Sequence, residues 1–178
     1  MSDRERLTNK ELHLAFINAL GEKVISYTDL DHKPIEIDCK MPLPRYIRLY
    51  LYNLTHPPGG RTMGEHKIQL IIPGQERGER ASFDSSDGRI VVVAGYHSEL
   101  DVFCIWDSGM YPTFSYSRNI QVRAETVYEA FAGKVAQQER RIRGQGTEIV
   151  IASPSNKLTE ALMLRIKITR QRLIGGPI

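Results

Sequence analysis

The alternation of apolar and polar residues between positions 45 and 73 predicts two strands joined by a long polar loop. In residues 46–54, aliphatic side chains alternate with aromatic side chains and one arginine, which is the period of a half-buried strand. Residues 66–73 begin polar and end fully apolar. The loop between them carries His56, Arg61 and a Gly-Gly pair. We therefore expect a hairpin whose loop concentrates polar donors beside a sheet.

Helical patterns occur near both ends of the chain and once in its second half. Residues 8–20 form an amphipathic stripe that begins at the N-cap Thr8, has Glu11 at the capping-box position and stops at Gly21. Further helices are predicted over residues 124–132 and from about residue 153 to 171. The first helix is expected to serve packing alone.

Short strand-like segments fill the rest of the chain. The two most apolar, residues 89–95 and 100–107, predict neighbouring buried strands. Shorter strands are expected at 24–28, 35–39, 81–84, 120–123, 135–141 and 147–152. Because the strands follow one another through short turns, antiparallel pairing is favoured. The predicted fold class is α+β, a mostly antiparallel β-barrel or pseudobarrel with flanking helices at both ends.

Length and composition predict one cytoplasmic domain. A chain of 178 residues with an ordinary apolar fraction can bury a sizeable core. No apolar run is long enough for a bilayer, and the charged N-terminus is followed by no apolar segment of the kind that a secretory signal needs. Cys39 and Cys104 lie far apart in strand-like contexts, which favours reduced core thiols over a disulfide.

Positive charge is concentrated in the last part of the chain. The formal net charge is +3, but residues 134–172 contain nine Lys and Arg against three Glu, a local charge of +6. A basic end on a slightly acidic body suits a polyanionic partner. The alternative is a solubilising helix face, which charge alone favours.

Most catalytic and cofactor motifs are missing from the sequence. It contains no phosphate-binding glycine loop, no histidine or cysteine pair at zinc spacing and no serine nucleophile elbow. We therefore expect no catalytic residues, no metal and no cofactor. One enzymatic alternative stays open, a Mg²⁺-dependent nuclease built on the acid-x-Lys tripeptides at residues 38–40 and 65–67, with Asp29 or Asp31 as the partner acid of the first and Asp38 of the second.

Two groups of polar residues have the chemistry of DNA recognition. Arginine and lysine bind guanine edges or phosphates, asparagine and glutamine bind adenine edges, and aromatic rings stack. The first group is Arg48, Asn53, His56, Arg61, His66, Lys67 and Gln69; the second is Tyr116, Ser117, Arg118, Asn119, Gln121 and Arg123. Two polar arms that carry these groups would straddle a major groove, which is about 12 Å wide. Taken singly, each residue is more simply a solvated loop side chain.

Residues 64–73, GEHKIQLIIP, follow a strand and a glycine-rich loop and resemble a signature of the DNA-recognition domains of EcoRII- and BfiI-type restriction endonucleases. Residues 100–123 are similar to modules fused to restriction and modification enzymes. The resemblance covers residues 45–165. It implies a DNA-recognition pseudobarrel at 41–172, preceded by an N-terminal helix and lead-in strands at 1–40. It also implies two arms that grip the major groove, the first at 45–69 and the second including 116–123.

The leading hypothesis is sequence- or modification-specific binding of double-stranded DNA, as the specificity module of a bacterial restriction or defence enzyme. A fused or associated nuclease domain would then act on the bound duplex, and no membrane partner is expected. Arg61, Gln69, Arg118 and Asn119 are the predicted base contacts. The alternatives are the Mg²⁺-dependent nuclease and a protein-interaction domain that uses the aromatic strand face of Tyr46, Tyr50 and Tyr52.

Overall fold

The computed structural model describes residues 6–55 and 64–175. These ranges contain three α-helices: α1 (Asn9–Leu20), α2 (Ala124–Phe131) and α3 (Leu158–Gly175). The strands in the same ranges are β1 (Val24–Tyr27), β2 (Ile35–Cys39), β3 (Tyr46–Asn53), β4 (Glu65–Leu70), β5 (Arg80–Ala81), β6 (Ile90–His97), β7 (Val102–Trp106), β8 (Phe114–Ser115), β9 (Arg118–Arg123), β10 (Ala136–Ile142) and β11 (Gly146–Pro154).

The main sheet has seven strands in the order β1-β2-β3-β6-β7-β11-β10. Every neighbouring pair is antiparallel except β3 and β6, which run parallel from the pair Ile47 and Ile90 onward. The mixed α+β class is therefore as predicted, with a large, mostly antiparallel sheet. The barrel is a correction, because the described strands form an open sheet with β1 and β10 at its edges.

The hairpin predicted from residues 45–73 is wrong in its pairing. β3 lies inside the main sheet between β2 and β6, whereas β4 pairs with β9 in a separate two-stranded ribbon. One isolated bridge, between Thr55 and Lys67, joins the chain just after β3 to β4. The parallel pairing of β3 with β6 explains the difference, since parallel neighbours need a long crossover, and β4 belongs to that crossover.

Both faces of the main sheet are covered. On one face α1 and α3 pack over a core that includes Phe16, Leu49 and Leu162. On the other face α2 and the β4–β9 ribbon pack over a core that includes Tyr50 and Trp106. β3 is consequently buried on both sides instead of on one as predicted. Aromatic residues on a strand can equally fill a second core, so the alternation did not distinguish the two cases.

Local signals at the N-terminal helix are confirmed. The Thr8 hydroxyl accepts a hydrogen bond from the Glu11 amide at 3.2 Å, and the Glu11 carboxylate accepts one from the Thr8 amide at 3.0 Å. Gly21 ends the helix at a φ of 58°. Cys39 and Cys104 are free and buried, as expected. Among the described helices, none has the length and apolar character required to cross a bilayer.

Candidate nucleic-acid interface

The β4–β9 ribbon brings the two predicted groups of polar residues together. Its register pairs Lys67 with Gln121 and Gln69 with Asn119. Ile68 and Ile120, which also pair with each other, are fully buried against the main sheet. Because side chains alternate along a strand, the residues on either side of these two isoleucines point outward. We call the outward set the polar ribbon face: Glu65, Lys67 and Gln69 on β4, and Asn119, Gln121 and Arg123 on β9.

Hydrogen bonds hold the ribbon at both of its edges. On the β4 edge, Thr55 and Lys67 exchange backbone hydrogen bonds of 2.8 and 3.3 Å. On the β9 edge, the Trp106 indole donates to the Gln121 carbonyl at 3.1 Å, and the Arg123 amide donates to the Gln138 side chain at 2.8 Å. These bonds satisfy the edge groups near the middle of the ribbon and fix the ribbon on the sheet.

Close contact between ribbon and sheet depends on Gly95 of β6. A Cβ atom at that position would lie 2.6 Å from Cγ2 of Ile68, and 3.3 Å from a methyl group of Leu54. Glycine is therefore required here by the approach of the ribbon, because any larger residue would push β4 away from the sheet.

The polar ribbon face reaches solvent with its hydrogen-bonding groups available. Within residues 6–55 and 64–175, the side chains of Lys67, Gln69, Asn119 and Gln121 make no hydrogen bond, and the bonds from Thr55 and Trp106 go to the backbone carbonyls of Lys67 and Gln121. Arg123 has only a weak ion pair of 3.6 Å with Glu125, and both side chains are more than half exposed. Such an exposed pair contributes little to stability and is easily exchanged for a ligand.

Two of the predicted contacts have roles inside the fold. Arg48 is only 2% exposed, and its guanidinium donates to the carbonyls of Asp84 at 2.8 Å and Ser86 at 3.0 Å. The Asn53 amide holds the backbone of Leu7 with two hydrogen bonds of 2.9 Å. Both side chains are committed to contacts within the fold, so we do not include them in the interface.

The remaining predicted residues lie around the ribbon. His66 is buried, with its ring 5.2 Å from that of His97. Arg118 ends the ribbon opposite Leu70, and its guanidinium carbon lies 5.0 Å above the ring of Tyr111. Tyr116 and Ser117 are partly buried in the turn before β9, where Ser117 has a φ of 59°. His56 and Arg61 lie outside the described residues.

Comparison with known families provides one match, over residues 45–162, to the family described as Methylase-associated X1. The chain belongs to this family. The matched part runs from the residue before β3 into the start of α3 and contains both strands of the ribbon. No curated protein and no solved structure matches the chain.

The nuclease alternative requires a metal site, and the described part of this Methylase-associated X1 chain contains none. Asp38 accepts a hydrogen bond of 3.0 Å from Arg89 and is neutralised by it. Glu65 is exposed on the ribbon. No three His, Cys, Asp or Glu side chains among residues 6–55 and 64–175 are grouped to hold a metal ion. Neither acid-x-Lys tripeptide therefore has the cluster of carboxylates that the proposed chemistry needs.

The aromatic protein-interaction face is also largely absent from the surface. Tyr50 and Tyr52 are buried, and their hydroxyl groups hydrogen-bond the Asp84 amide at 3.0 Å and the Ile71 carbonyl at 3.1 Å. Only Tyr46, at the start of β3, is exposed, with 46% of its surface accessible. A single tyrosine does not make a docking face.

A buried charge cluster next to the ribbon was not expected from the sequence; one of its members, Arg140, donates a hydrogen bond to the Gln121 carbonyl of β9. Asp107 is 2% exposed and receives a two-pronged contact of 2.7 and 3.1 Å from Arg172, while Arg165 lies 3.7 Å away. The second acid of the cluster, Glu148, accepts hydrogen bonds from the Tyr111 hydroxyl at 2.7 Å and the Asp107 amide at 2.8 Å.

This cluster changes the meaning of the basic C-terminal segment. Arg140 approaches Glu148 at 3.7 Å, so Arg140, Arg165 and Arg172 all direct their charge inward. Burial raises the pKa of Glu148, although its hydrogen bonds from Tyr111 and Asp107 and the nearby arginines oppose that shift. Part of the positive charge that suggested a polyanion partner therefore neutralises buried carboxylates.

Proposed function

We propose that this chain is the specificity module of a restriction–modification system and that it contacts double-stranded DNA through the polar ribbon face. Its membership in a methylase-associated family supports the restriction–modification setting. The observation that carries the proposal is the register of β4 and β9, which places Lys67 beside Gln121 and Gln69 beside Asn119 on one outward surface.

The shape of the ribbon suits the major groove of B-DNA. That groove admits a two-stranded β-ribbon, and its base edges present donor and acceptor patterns that distinguish all four base pairs. Glutamine and asparagine side chains match the edge of adenine, and lysine matches the acceptors of guanine. We assign Gln69 and Asn119, which are direct neighbours across the ribbon, to base readout.

Arg123 is suited to the phosphate backbone. It lies at the opposite end of the polar ribbon face from Gln69, more than half exposed and beside the start of α2. Phosphate contacts position a protein on a duplex without reading sequence, and they make affinity depend on salt. In this proposal a single ribbon that carries both groups of residues lies in one groove. It replaces the two separate arms, expected from the sequence, that would straddle a groove.

His56 and Arg61 remain predicted contacts. The residues that flank their segment in the structure, Thr55 and Gly64, both lie at the ribbon: Thr55 pairs with Lys67, and the Gly64 carbonyl accepts a hydrogen bond of 2.9 Å from Ala124. The chain needs no catalytic residue in this role, since a fused or associated methylase or nuclease would supply the reaction.

The test begins with selection of a preferred duplex from a random-sequence pool by the purified chain. Binding of that duplex and of an unselected one is then measured by fluorescence anisotropy for the wild type and for the double variant Gln69→Ala/Asn119→Ala. We expect the variant to lose about 1–3 kcal/mol on the selected duplex, and much less on the unselected one, because base contacts carry specificity.

A matched control is Gln137→Ala/Asn156→Ala, which removes the same two side-chain types from exposed positions on β10 and in the turn before α3. The control should bind both duplexes as the wild type does. Equal affinity of the ribbon variant and the wild type for the selected duplex would disprove the assigned base readout. Repeating the selection with methylated duplexes would show whether a modified base is read.

A further inference from the structure

A small pocket opens at the end of the ribbon where Gln69 lies. It has a volume of about 300 Å³ and lies between the segment before α1, the turn that joins β1 to β2, and the ends of β3 and β4. Gln69 belongs both to the lining of this pocket and to the polar ribbon face. A ligand in the pocket would therefore lie next to the end of the polar ribbon face that Gln69 forms.

Two positive charges line this pocket, and neither has an anionic partner among the described residues. Lys33 is partly buried, with its Nζ atom 3.9 Å above the ring of Tyr52, and Arg6 lines the same space. Within the described ranges of the chain, no carboxylate forms an ion pair with either side chain. Burial and, to a lesser extent, the charge of Arg6 lower the pKa of Lys33 to about 8. A buried ammonium group without an anion is unfavourable, and a bound anion would remove that cost.

The walls of the pocket are fixed before any ligand arrives. The Tyr52 hydroxyl donates to the Ile71 carbonyl at 3.1 Å, which holds the ring under Lys33. The Asn53 amide clamps the backbone of Leu7, the residue that follows Arg6. A preformed cationic pocket loses little conformational entropy on binding, which favours affinity for a small anionic group.

We propose that this pocket binds a phosphodiester group of the duplex whose bases the ribbon contacts, with Lys33 and Arg6 as the cations. The proposal rests on the function proposed above. Phosphate is the anion that a duplex presents next to its grooves, and Gln69 links the pocket to the groove-facing surface. A free inorganic phosphate has the same chemistry, so the test separates the two sources.

The experiment measures binding of the selected duplex to the wild type and to three variants. Lys33→Met removes the charge while keeping an unbranched side chain one atom shorter, Lys33→Arg keeps the charge, and Lys40→Met removes a charge from an exposed position after β2. We expect about tenfold weaker binding for Lys33→Met, as for the loss of one charge-assisted contact, and a salt dependence reduced by about one phosphate. Lys33→Arg and Lys40→Met should stay close to the wild type.

Neutral methylphosphonate groups then replace the phosphates of the duplex one at a time. Replacement at one position should weaken binding of the duplex to the wild type and leave its binding to Lys33→Met unchanged. That result would show that Lys33 interacts with the phosphate at that position. Two results would overturn the pocket assignment and leave the ribbon proposal intact. In the first, Lys33→Met binds the duplex more weakly but no such phosphate position exists; in the second, Lys33→Met binds with wild-type affinity. A wild type that binds no duplex would overturn both.

The last experiment is a titration with inorganic phosphate, monitored by the nuclear magnetic resonance signals of residues around the pocket. Saturable binding of phosphate that requires Lys33, together with no coupling to any phosphate of the duplex, would assign the site to a free anion and overturn the proposal. With coupling present, weak competition by phosphate is the expected result, because both ligands use the same cations.

Discussion

The polar ribbon face and the buried charge cluster are both rich in polar side chains, but they treat those side chains in opposite ways. In the cluster, Asp107 and Glu148 have both of their carboxylate oxygens engaged, by arginine, tyrosine or backbone partners. On the ribbon, Gln69 and Asn119 have no side-chain partner among the described residues. In the first region the fold itself engages both carboxylates, whereas the second region leaves these amide side chains available to a ligand.

Desolvation accounts for this contrast. Burying a charge is tolerable only where opposite charges and hydrogen bonds surround it, so a buried cluster must be complete within the fold. An exposed polar group is already solvated and needs no internal partner. Polar groups that are exposed and also held in fixed register by backbone hydrogen bonds are therefore suited to recognition. The cluster instead ties α3 to the sheet, through Arg172 and Asp107.

The largest expected effect comes from breaking the cluster. Asp107→Asn should remove the carboxylate that lies nearest to the buried Arg165 and to Arg172, and lower the free energy of unfolding by about 3–5 kcal/mol. Urea denaturation followed by circular dichroism measures this loss. The control Glu139→Gln, at an exposed position on β10, should change it by less than about 0.5 kcal/mol. A similarly small change for Asp107→Asn would contradict a stabilising role for the cluster.

The ribbon should be sensitive to its distance from the sheet. Gly95→Ala places a methyl group 2.6 Å from Ile68, so we expect a loss of about 1–3 kcal/mol in unfolding free energy together with weaker binding of the selected duplex. Adding Ile68→Ala removes the atom that clashes. The double variant should then lose less stability than the sum of the two single variants, and strict additivity would show that this contact is not the cause.

The smallest effect concerns Lys33, which is partly buried yet lacks an anionic partner among the described residues. Its folded-state pKa of about 8 lies below the ordinary value of 10.5. Between those two pH values the unfolded chain holds a proton on Lys33 that the folded chain has released, so stability should rise with pH in that window. At pH 7 the charged form still carries its desolvation cost, and Lys33→Met should stabilise the free protein by about 1 kcal/mol.

Urea unfolding at a series of pH values from neutral to alkaline tests this expectation. Lys33→Met should flatten the rise in stability relative to the wild type, whereas Lys40→Met, which removes an exposed lysine, should leave the slope unchanged. Identical pH profiles for the wild type and Lys33→Met would mean that the pKa of Lys33 is ordinary in the folded protein.

Local sequence was sufficient for local structure. The Thr8 and Glu11 capping box and the Gly21 stop predicted α1, because a helix end is decided by residues within one turn of it. The polar and apolar alternation also predicted strands at β4 and β9, and named Lys67, Gln69, Asn119 and Gln121 as residues suited to recognition.

Tertiary structure decided which of the polar strand positions, equivalent in the local sequence pattern, are exposed and which are buried. Arg48 and Lys67 both occupy polar positions of alternating strands, yet Arg48 is buried under the segment of Asp84 and Ser86, and Lys67 points away from the sheet. A period of two assigns side chains to two faces but does not say what covers each face. That depended on the parallel pairing of β3 with β6 and on the pairing of β4 with β9, which join residues too distant in sequence for any local pattern to specify.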